Sequence, residues 1–424
     1  MSLSIKLLVM IFLPSFILER GKLMLTKDLT LGLQHTLAMF SSTILIPILM
    51  GFDIAVALFM AGIGTIIFHF FTGWKIPIFL GSSGSFVGGV LIINESFGMQ
   101  AAYGAIATSG IVYILASFIA YLVGYKNFIK IFPPIVVAPI IMLIGITLSP
   151  VAVGMASQNW ILALITMTTV IVVGIFAKGF FKLIPIISGI VVGYITSILM
   201  GEVDFNPILD AAWFALPKFS TPEFNLSAIA ILAPIALVTI MEHVGEVGAN
   251  AHIVKKNWFE KPGLHKTLLG NGISTSLAGL IGAPPSTTYG ENTATLAVTK
   301  QYNPRIIRIA AVIAIIMAFL GKFTAFITTI PTAVMGGICF ILFGMLITIG
   351  LQQLIESKTD LHDMKNSSVV LITLIVGISS ITSSVISIEI TKNVVLSGLS
   401  LAAVVAVLLN LIVNVLFVKK ENKK

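Results

Sequence analysis

Three acidic residues stand in stretches of the chain that are otherwise apolar. Glu242 and Glu246 lie within 226–254, and Glu291 lies in a Gly/Ser/Thr-rich stretch at 285–300. If these stretches cross a bilayer, each buried charge costs roughly 2.5–3.5 kcal/mol, so such residues face an interior cavity and are functional by default. No Lys or Arg stands in the central parts of these stretches, which makes a structural ion pair the weaker interpretation.

Glu242 and Glu246 are four residues apart, so a helix places both on one face. Two carboxylates that approach each other in a low dielectric do not both ionise readily, and a proton shared at this face is expected. A proton-holding acid beside a ligand-binding acid is the basic component of a proton-coupled carrier. The pattern therefore predicts coupling at Glu246 and Glu242.

The elements that position these acids are transmembrane segments. Of the 424 residues, 57% are hydrophobic and 10% charged, and the mean hydropathy is +1.07; a soluble domain has about 25% charged residues. Runs of roughly 20 apolar residues predict helices that span a membrane. We predict fourteen such segments: 29–50, 53–71, 76–94, 101–124, 134–149, 159–177, 181–200, 226–254, 264–283, 285–300, 304–326, 331–351, 366–386 and 394–418.

The basic residues predict the orientation. With a cytoplasmic N-terminus, all of the 25 Lys and Arg except Lys218, Lys322 and Lys392 fall on the cytoplasmic side, as the positive-inside rule requires. This distribution explains the net charge of +8 without a nucleic-acid partner. It predicts a multi-pass protein of the cell membrane, in contact with lipid, with both termini cytoplasmic.

The predicted organisation is two halves of seven segments each. Because the number of segments per half is odd, the two halves must be inverted repeats. The predicted parts are an N-terminal extension (1–28), a first repeat (29–200), an extracellular loop (201–225), a second repeat (226–418) and a cytoplasmic tail (419–424). Residues 1–23 resemble a signal peptide without a cleavage site, and we interpret them as an interfacial stretch or an extension preceding Met24.

Two segments at matching positions are interrupted. The third segment contains IPIFLGSSGSFVGG (76–89) and the tenth contains APPSTTYGENTATLAV (283–298). Each combines proline-biased chain, a Gly/Ser/Thr-rich turn and a resumed helical pattern, which does not suit an unbroken lipid-facing helix. Paired interruptions are the best sequence indication of a transporter's binding site, where helix N-termini present free N–H groups to a ligand.

Other chemistries are disfavoured. Gly81–Ser85 is not a nucleophile elbow and lacks a His–acid partner, which disfavours the alternative of a membrane-embedded enzyme. The six histidines show no metal-ligand spacing, and the single Cys339 excludes a cysteine cluster; no cofactor or metal is predicted. An ion channel, the other alternative, would require rings of repeated polar residues.

Five stretches of the chain are distinctive: LQHTLAMF (33–40), KIPIFLGSS (75–83), EHVG (242–245), PGLHKTLLGNG (262–272) and TTYGEN (287–292). They carry a resemblance to the nucleobase–ascorbate transporter family, most closely to its bacterial uracil permease branch. It implies a core domain of segments 1–4 and 8–11, a gate domain of segments 5–7 and 12–14, short paired strands in segments 3 and 10, a homodimer and proton symport.

The resemblance also implies a substrate site. Glu242 and Glu291 would hydrogen-bond a nucleobase, backbone N–H groups at Gly84 and Gly290 would meet its carbonyls, and Ser42 and Tyr289 would line the pocket. Uracil permeases often have His where this chain has Glu246, although an acid can perform the same coupling.

The expected activity is import of uracil by alternating access, coupled to H⁺ or, as an alternative, Na⁺. Xanthine or another purine is the alternative substrate, because it presents similar N–H and carbonyl edges. The acid at 291 favours uracil, since many purine transporters of the family resemble one another in having Gln there.

Overall fold

The computed structural model describes residues 26–131, 133–179, 181, 184–382, 386–391 and 394–416. The N-terminal extension up to residue 25 and the C-terminal tail predicted from the sequence lie outside the described residues. The helices are α1 (Thr26–Met50), α2 (Ile54–Phe71), α3 (Val87–Phe97), α4 (Met99–Val123), α5 (Tyr125–Ile131), α6 (Pro134–Ala156), α7 (Trp160–Phe176), α8 (Pro185–Leu199), α9 (Asn206–Asp210), α10 (Leu226–Val254), α11 (Leu264–Leu280), α12 (Gly290–Thr299), α13 (Pro304–Ala318), α14 (Gly321–Thr328), α15 (Thr332–Glu356), α16 (Met364–Thr382) and α17 (Gly398–Asn410).

Two antiparallel strand pairs accompany the helices. β1 (Leu80–Ser82) pairs with β2 (Ser286–Thr288), and β3 (Ser387–Thr391) pairs with β4 (Val394–Ser397). A 3₁₀ turn precedes α3 at Gly84–Phe86, and π-helical turns lie at Phe259–Gly263 and Leu411–Leu416. The chain is thus mainly helical, as the sequence predicts.

Six of the described helices are long and apolar enough to cross a membrane by length and composition: α1, α2, α4, α6, α10 and α15. Shorter apolar helices lie at 84–97, 160–176, 185–199, 364–379 and 398–413. This supports a multi-pass membrane protein. The count of fourteen segments and the inverted repeat stay predictions.

The helices form two packing groups that each draw on both halves of the sequence. In the first group, α11 packs on α4 and α2, and α13 packs on α2 and α1. In the second group, α15 packs on α6 and α7, and α16 packs on α6 and α17. Helix α10 packs on α4 of the first group and also contacts α17 of the second. It therefore lies where the two groups meet.

The predicted eleventh segment (304–326) is not one helix. It breaks between α13 and α14, because the 201–225 loop inserts its backbone there. Ala215 N–H donates to Phe319 O and Gly321 N–H donates to Trp213 O, both at 3.0 Å. The loop thus supplies partners for backbone groups that the break leaves open, as buried backbone requires.

The last two predicted segments also differ from the structure. The stretch between them forms the β3–β4 pair, so α16 ends at Thr382 and α17 begins at Gly398. The sequence reads SIEIT and VVLS there, which is β-branched and equally compatible with an apolar segment end. Hydropathy alone does not separate a strand from a helix in such short runs.

Small residues bring the long helices into close contact. A Cβ built on Gly279 of α11 would overlap the backbone of Tyr103 and Ala107 of α4. One built on Gly272 would lie 2.8 Å from Tyr113 Cβ and 3.0 Å from Gly110 O. Glycine at helix contacts lets backbones approach, which is the main packing device inside a membrane.

We expect Gly279→Ala to destabilise the protein by about 1–3 kcal/mol, the usual cost of overpacking. Gly154→Ala is the matched control, because its Cβ would meet nothing within 4 Å and Ala is favoured over Gly in a helix by up to about 1 kcal/mol. Thermal unfolding of both variants in detergent measures the difference. Equal melting midpoints would contradict the packing assignment.

Candidate functional site

The β1–β2 pair joins the two interrupted segments at the centre of the candidate site. Its register places Gly81 opposite Thr287, with Leu80 opposite Thr288 and Ser82 opposite Ser286. The backbone N–H and C=O groups of each interrupted segment therefore hydrogen-bond to those of the other. Both strands are buried along their whole length, which explains why extended chain is tolerated at this depth.

Tyr289 secures the strand pair. Its ring lies on Gly81, where any Cβ would overlap it. Its hydroxyl donates to Ser82 O at 3.1 Å and accepts from Thr43 Oγ1 at 3.3 Å. The side chain is only 4% exposed, so the structure gives Tyr289 a scaffold contact in addition to the pocket-lining role expected from the sequence.

Neighbouring helices anchor each strand. Thr65 of α2 accepts from Leu80 N–H at 2.9 Å and its hydroxyl also lies 3.2 Å from Leu80 O. Ser274 of α11 hydrogen-bonds Ser286 through their hydroxyls at 2.8 Å. The positions of β1 and β2 are thus fixed from both sides.

Each strand leads into the N-terminus of a helical piece. The 3₁₀ turn before α3 begins at Gly84, and α12 begins at Gly290. The first N–H groups of such helical turns lack intrahelical partners. A Cβ at Gly84 would be in ordinary contact only with Ile46, at 3.6 Å, so the backbone at Gly84 is approachable.

Glu242 and Glu291 each accept a short hydrogen bond from a serine hydroxyl. Ser85 Oγ lies 2.6 Å from Glu242 Oε1, and Ser42 Oγ lies 2.6 Å from Glu291 Oε1. Both glutamates are partly buried. Ser42, Glu242 and Glu291 are predicted from the sequence, whereas Ser85, the second residue of the resumed helical turn, is not.

Glu246 lies against the start of α12. A Cβ at Gly290 would be 2.8 Å from Glu246 Oε1, which explains the need for glycine at this position. Glu246 interacts electrostatically with Glu291 and Glu242, and its Oε2 is buried without a hydrogen-bond partner. The three acids predicted from the sequence therefore form one cluster.

Further polar contacts that the sequence analysis does not assign hold the acids in place. The side chain of Asn292 donates to His35 O at 3.0 Å, which ties α12 to α1. Asn250 of α10 donates to Pro77 O at 3.2 Å and accepts from Trp258 Nε1 at 2.9 Å. Asn250 lies two helical turns beyond Glu242, and a polar residue in an apolar segment is a signal that could have identified it.

Two cavities lie along α10, one beside Ile231 and Ile235 and the other beside Met241, Val244 and Gly245. The Ser85 cavity, about 310 Å³, is lined by Ser85, Ile144 and Ile235 among others. The Gln353 cavity, about 360 Å³, is lined by Val137, Gly245 and Gln353 among others. Residues of α6 and α10 line both cavities, so both lie at the junction of the two packing groups.

The chain is similar to known transport proteins over most of its length. Residues 26–386 match the model of the permease family. A probable uracil permease of Haemophilus influenzae is 40% identical over 408 residues, covering 94% of this chain and 96% of the relative. The uracil permease of Escherichia coli is 38% identical over 410 residues, covering 94% of each. These relatives are transport proteins and not enzymes.

A solved structure shows the same fold at low sequence identity. The transmembrane domain of the cyanobacterial bicarbonate transporter BicA superimposes with a TM-score of 0.63 at 17% identity, covering 82% of this chain and 95% of that domain. The likeness at this identity concerns the fold alone. Since the family model covers most of the chain and relatives of 38–40% identity span nearly all of it, the chain belongs to the nucleobase–ascorbate transporter family of permeases.

Proposed function

We propose that this permease is a proton-coupled symporter that imports uracil by alternating access. The observation that carries the proposal is the meeting of Glu242 and Glu291 beside two helix starts, at the junction of the interrupted segments. Carboxylate oxygens accept hydrogen bonds from ring N–H groups, and free backbone N–H groups at Gly84 and Gly290 donate to carbonyls. Uracil carries both kinds of group on a single ring.

Alternating access is supported by the packing. The first packing group corresponds to the proposed core domain and the second to the gate domain. In the proposed topology, the Ser85 cavity faces the extracellular side and the Gln353 cavity faces the cytoplasm. Movement of one group against the other would open one cavity while closing the other, with the acids exposed to each side in turn.

The proposed coupling residue is Glu246, acting with Glu242. Its carboxylate lies close to both substrate acids, and one of its oxygens has no hydrogen-bond partner. A proton on Glu246 would lower the negative charge of the cluster while substrate is bound. We further propose that the protein forms a homodimer in the cell membrane with cytoplasmic termini, as the family resemblance and the basic residues imply.

The substrate is tested by uptake of radiolabelled uracil into proteoliposomes with an inward proton gradient. We expect uptake that unlabelled uracil abolishes and that unlabelled xanthine inhibits much less. If xanthine competes as strongly as uracil, the proposed preference for uracil is wrong and the protein has a broader base specificity. Uptake that follows a sodium gradient at equal pH would replace H⁺ by Na⁺ as the coupling ion.

We expect Glu242→Gln and Glu291→Gln each to weaken uracil binding by at least about tenfold. A hydrogen bond to a charged group contributes roughly 1.5–3 kcal/mol, and about 1.4 kcal/mol is a factor of ten. Binding to purified protein, measured by calorimetry, tests this. Glu95→Gln is the control, since Glu95 is exposed on α3. Wild-type affinity in either variant would remove that residue from the site.

We expect Glu246→Gln to keep uracil binding and counterflow exchange but to lose uptake driven by a pH gradient. Exchange requires only that the loaded carrier reorients, whereas net uptake requires that the proton leaves. Counterflow and driven uptake are compared in the same batch of proteoliposomes. Near-normal driven uptake would assign coupling to Glu242 alone.

A further inference from the structure

The two proposed substrate acids are held by the same kind of contact, built twice. Ser42 of α1 donates to Glu291 at the start of α12, and Ser85 at the start of the helical turn before α3 donates to Glu242 of α10, each at 2.6 Å. The contacts join residues 249 and 157 positions apart in the chain. Neither pair follows from local helix geometry.

The strand pair relates the two serine–glutamate contacts to each other. Leu80–Ser82 and Ser286–Thr288 are antiparallel about Gly81 and Thr287, and each strand is followed by a glycine that begins a helical turn. The residue after that glycine is Ser85 in one segment and Glu291 in the other. Hydroxyl and carboxylate therefore occupy equivalent positions, with the hydroxyls contributed before the 201–225 loop and the carboxylates after it.

Each contact occupies one of the two oxygens of the carboxylate. Ser85 also lines the Ser85 cavity together with Gly88 and Gly89, so the Ser85–Glu242 pair borders space that a ligand can enter. A hydrogen bond of 2.6 Å to a carboxylate is among the shorter and stronger ones.

We propose that Ser42 and Ser85 are positioning residues that fix the two carboxylates and determine which hydrogen-bond donors the site accepts. The inference rests on the proposed function. With Oε1 held by serine, each acid presents its other oxygen to a single ring N–H. A ligand with two adjacent donors must compete with the serine for Oε1 in order to pair with both oxygens.

The test compares two bases of the same ring size. Uracil presents separate ring N–H donors, whereas isocytosine presents a ring N–H beside an amino group. We expect Ser42→Ala and Ser85→Ala each to weaken uracil binding by about three- to tenfold and to lower the preference for uracil over isocytosine by at least about threefold. Ser42→Thr and Ser85→Thr, which keep the hydroxyl, should retain the preference.

The matched control is Ser83→Ala. Ser83 lies two residues before Ser85, is fully buried, and its hydroxyl has no hydrogen-bond partner. This variant should leave both the affinity and the preference within about twofold of wild type. If the Ala variants bind both bases more weakly by the same factor, with no change in preference, the serines are only structural residues and the proposal is overturned.

An infrared measurement separates this proposal from the proposed function. The antisymmetric carboxylate-stretch band of each acid is assigned by its loss in Glu242→Gln or Glu291→Gln. Ser85→Ala should shift only the Glu242 band, and Ser42→Ala only the Glu291 band, because each loses one hydrogen bond. Unshifted bands would overturn the proposal. Shifted bands in a protein that binds neither base would disprove uracil as substrate while retaining the two serine contacts.

Discussion

Backbone hydrogen bonding inside the membrane is the constraint on which the rest of this structure depends. A buried N–H or C=O without a partner costs several kcal/mol in hydrocarbon, yet a site with free helix N-termini requires that two segments stop being helical. The β1–β2 pair meets both requirements. It lets the extended backbone of each segment hydrogen-bond to that of the other. The helices that resume after the two strands then begin at the same place.

The composition around the strand pair follows from this constraint. A side chain at the centre of β1 would overlap the ring of Tyr289, so glycine stands at position 81. A second glycine, Gly290, makes room for the carboxylate of Glu246. The polar groups that surround the strands, such as Thr65 and Ser274, are buried hydroxyls that hydrogen-bond to the strands. Glycines and hydroxyls therefore cluster here because the strands must be approached and held.

Much of this arrangement is predictable from the sequence, because the signals are large. An uncompensated acid in an apolar stretch is costly, so Glu242, Glu246 and Glu291 are conspicuous, and α10 has the predicted bounds 226–254. The interrupted segments are recognised by their Pro, Gly and Ser residues. Ser85 escapes notice because serine in a membrane helix commonly bonds to its own backbone. Its contact with Glu242 depends on how two distant segments cross.

The remaining differences have the same origin. The break between α13 and α14 is stabilised by Trp213 and Ala215 from a loop about a hundred residues earlier, and Gly321 admits that loop because a Cβ there would overlap Ala212 O. The β3–β4 pair occupies the link between two predicted segments and the beginning of the second, Val394–Ser397, whose composition suits either structure. Hydropathy measures the preference of a segment for lipid, whereas these features depend on partners for individual backbone groups.

The distribution of charge between the halves of the chain makes the site depend on contacts between them. All three clustered acids come from the second half, while the first half contributes Ser42 and Ser85 at the corresponding contacts. Each serine hydroxyl therefore holds a carboxylate of the other half, and neither half builds the acid cluster alone. Glu246 interacts electrostatically with both Glu242 and Glu291, so a proton on Glu246 reduces the repulsion that both carboxylates experience.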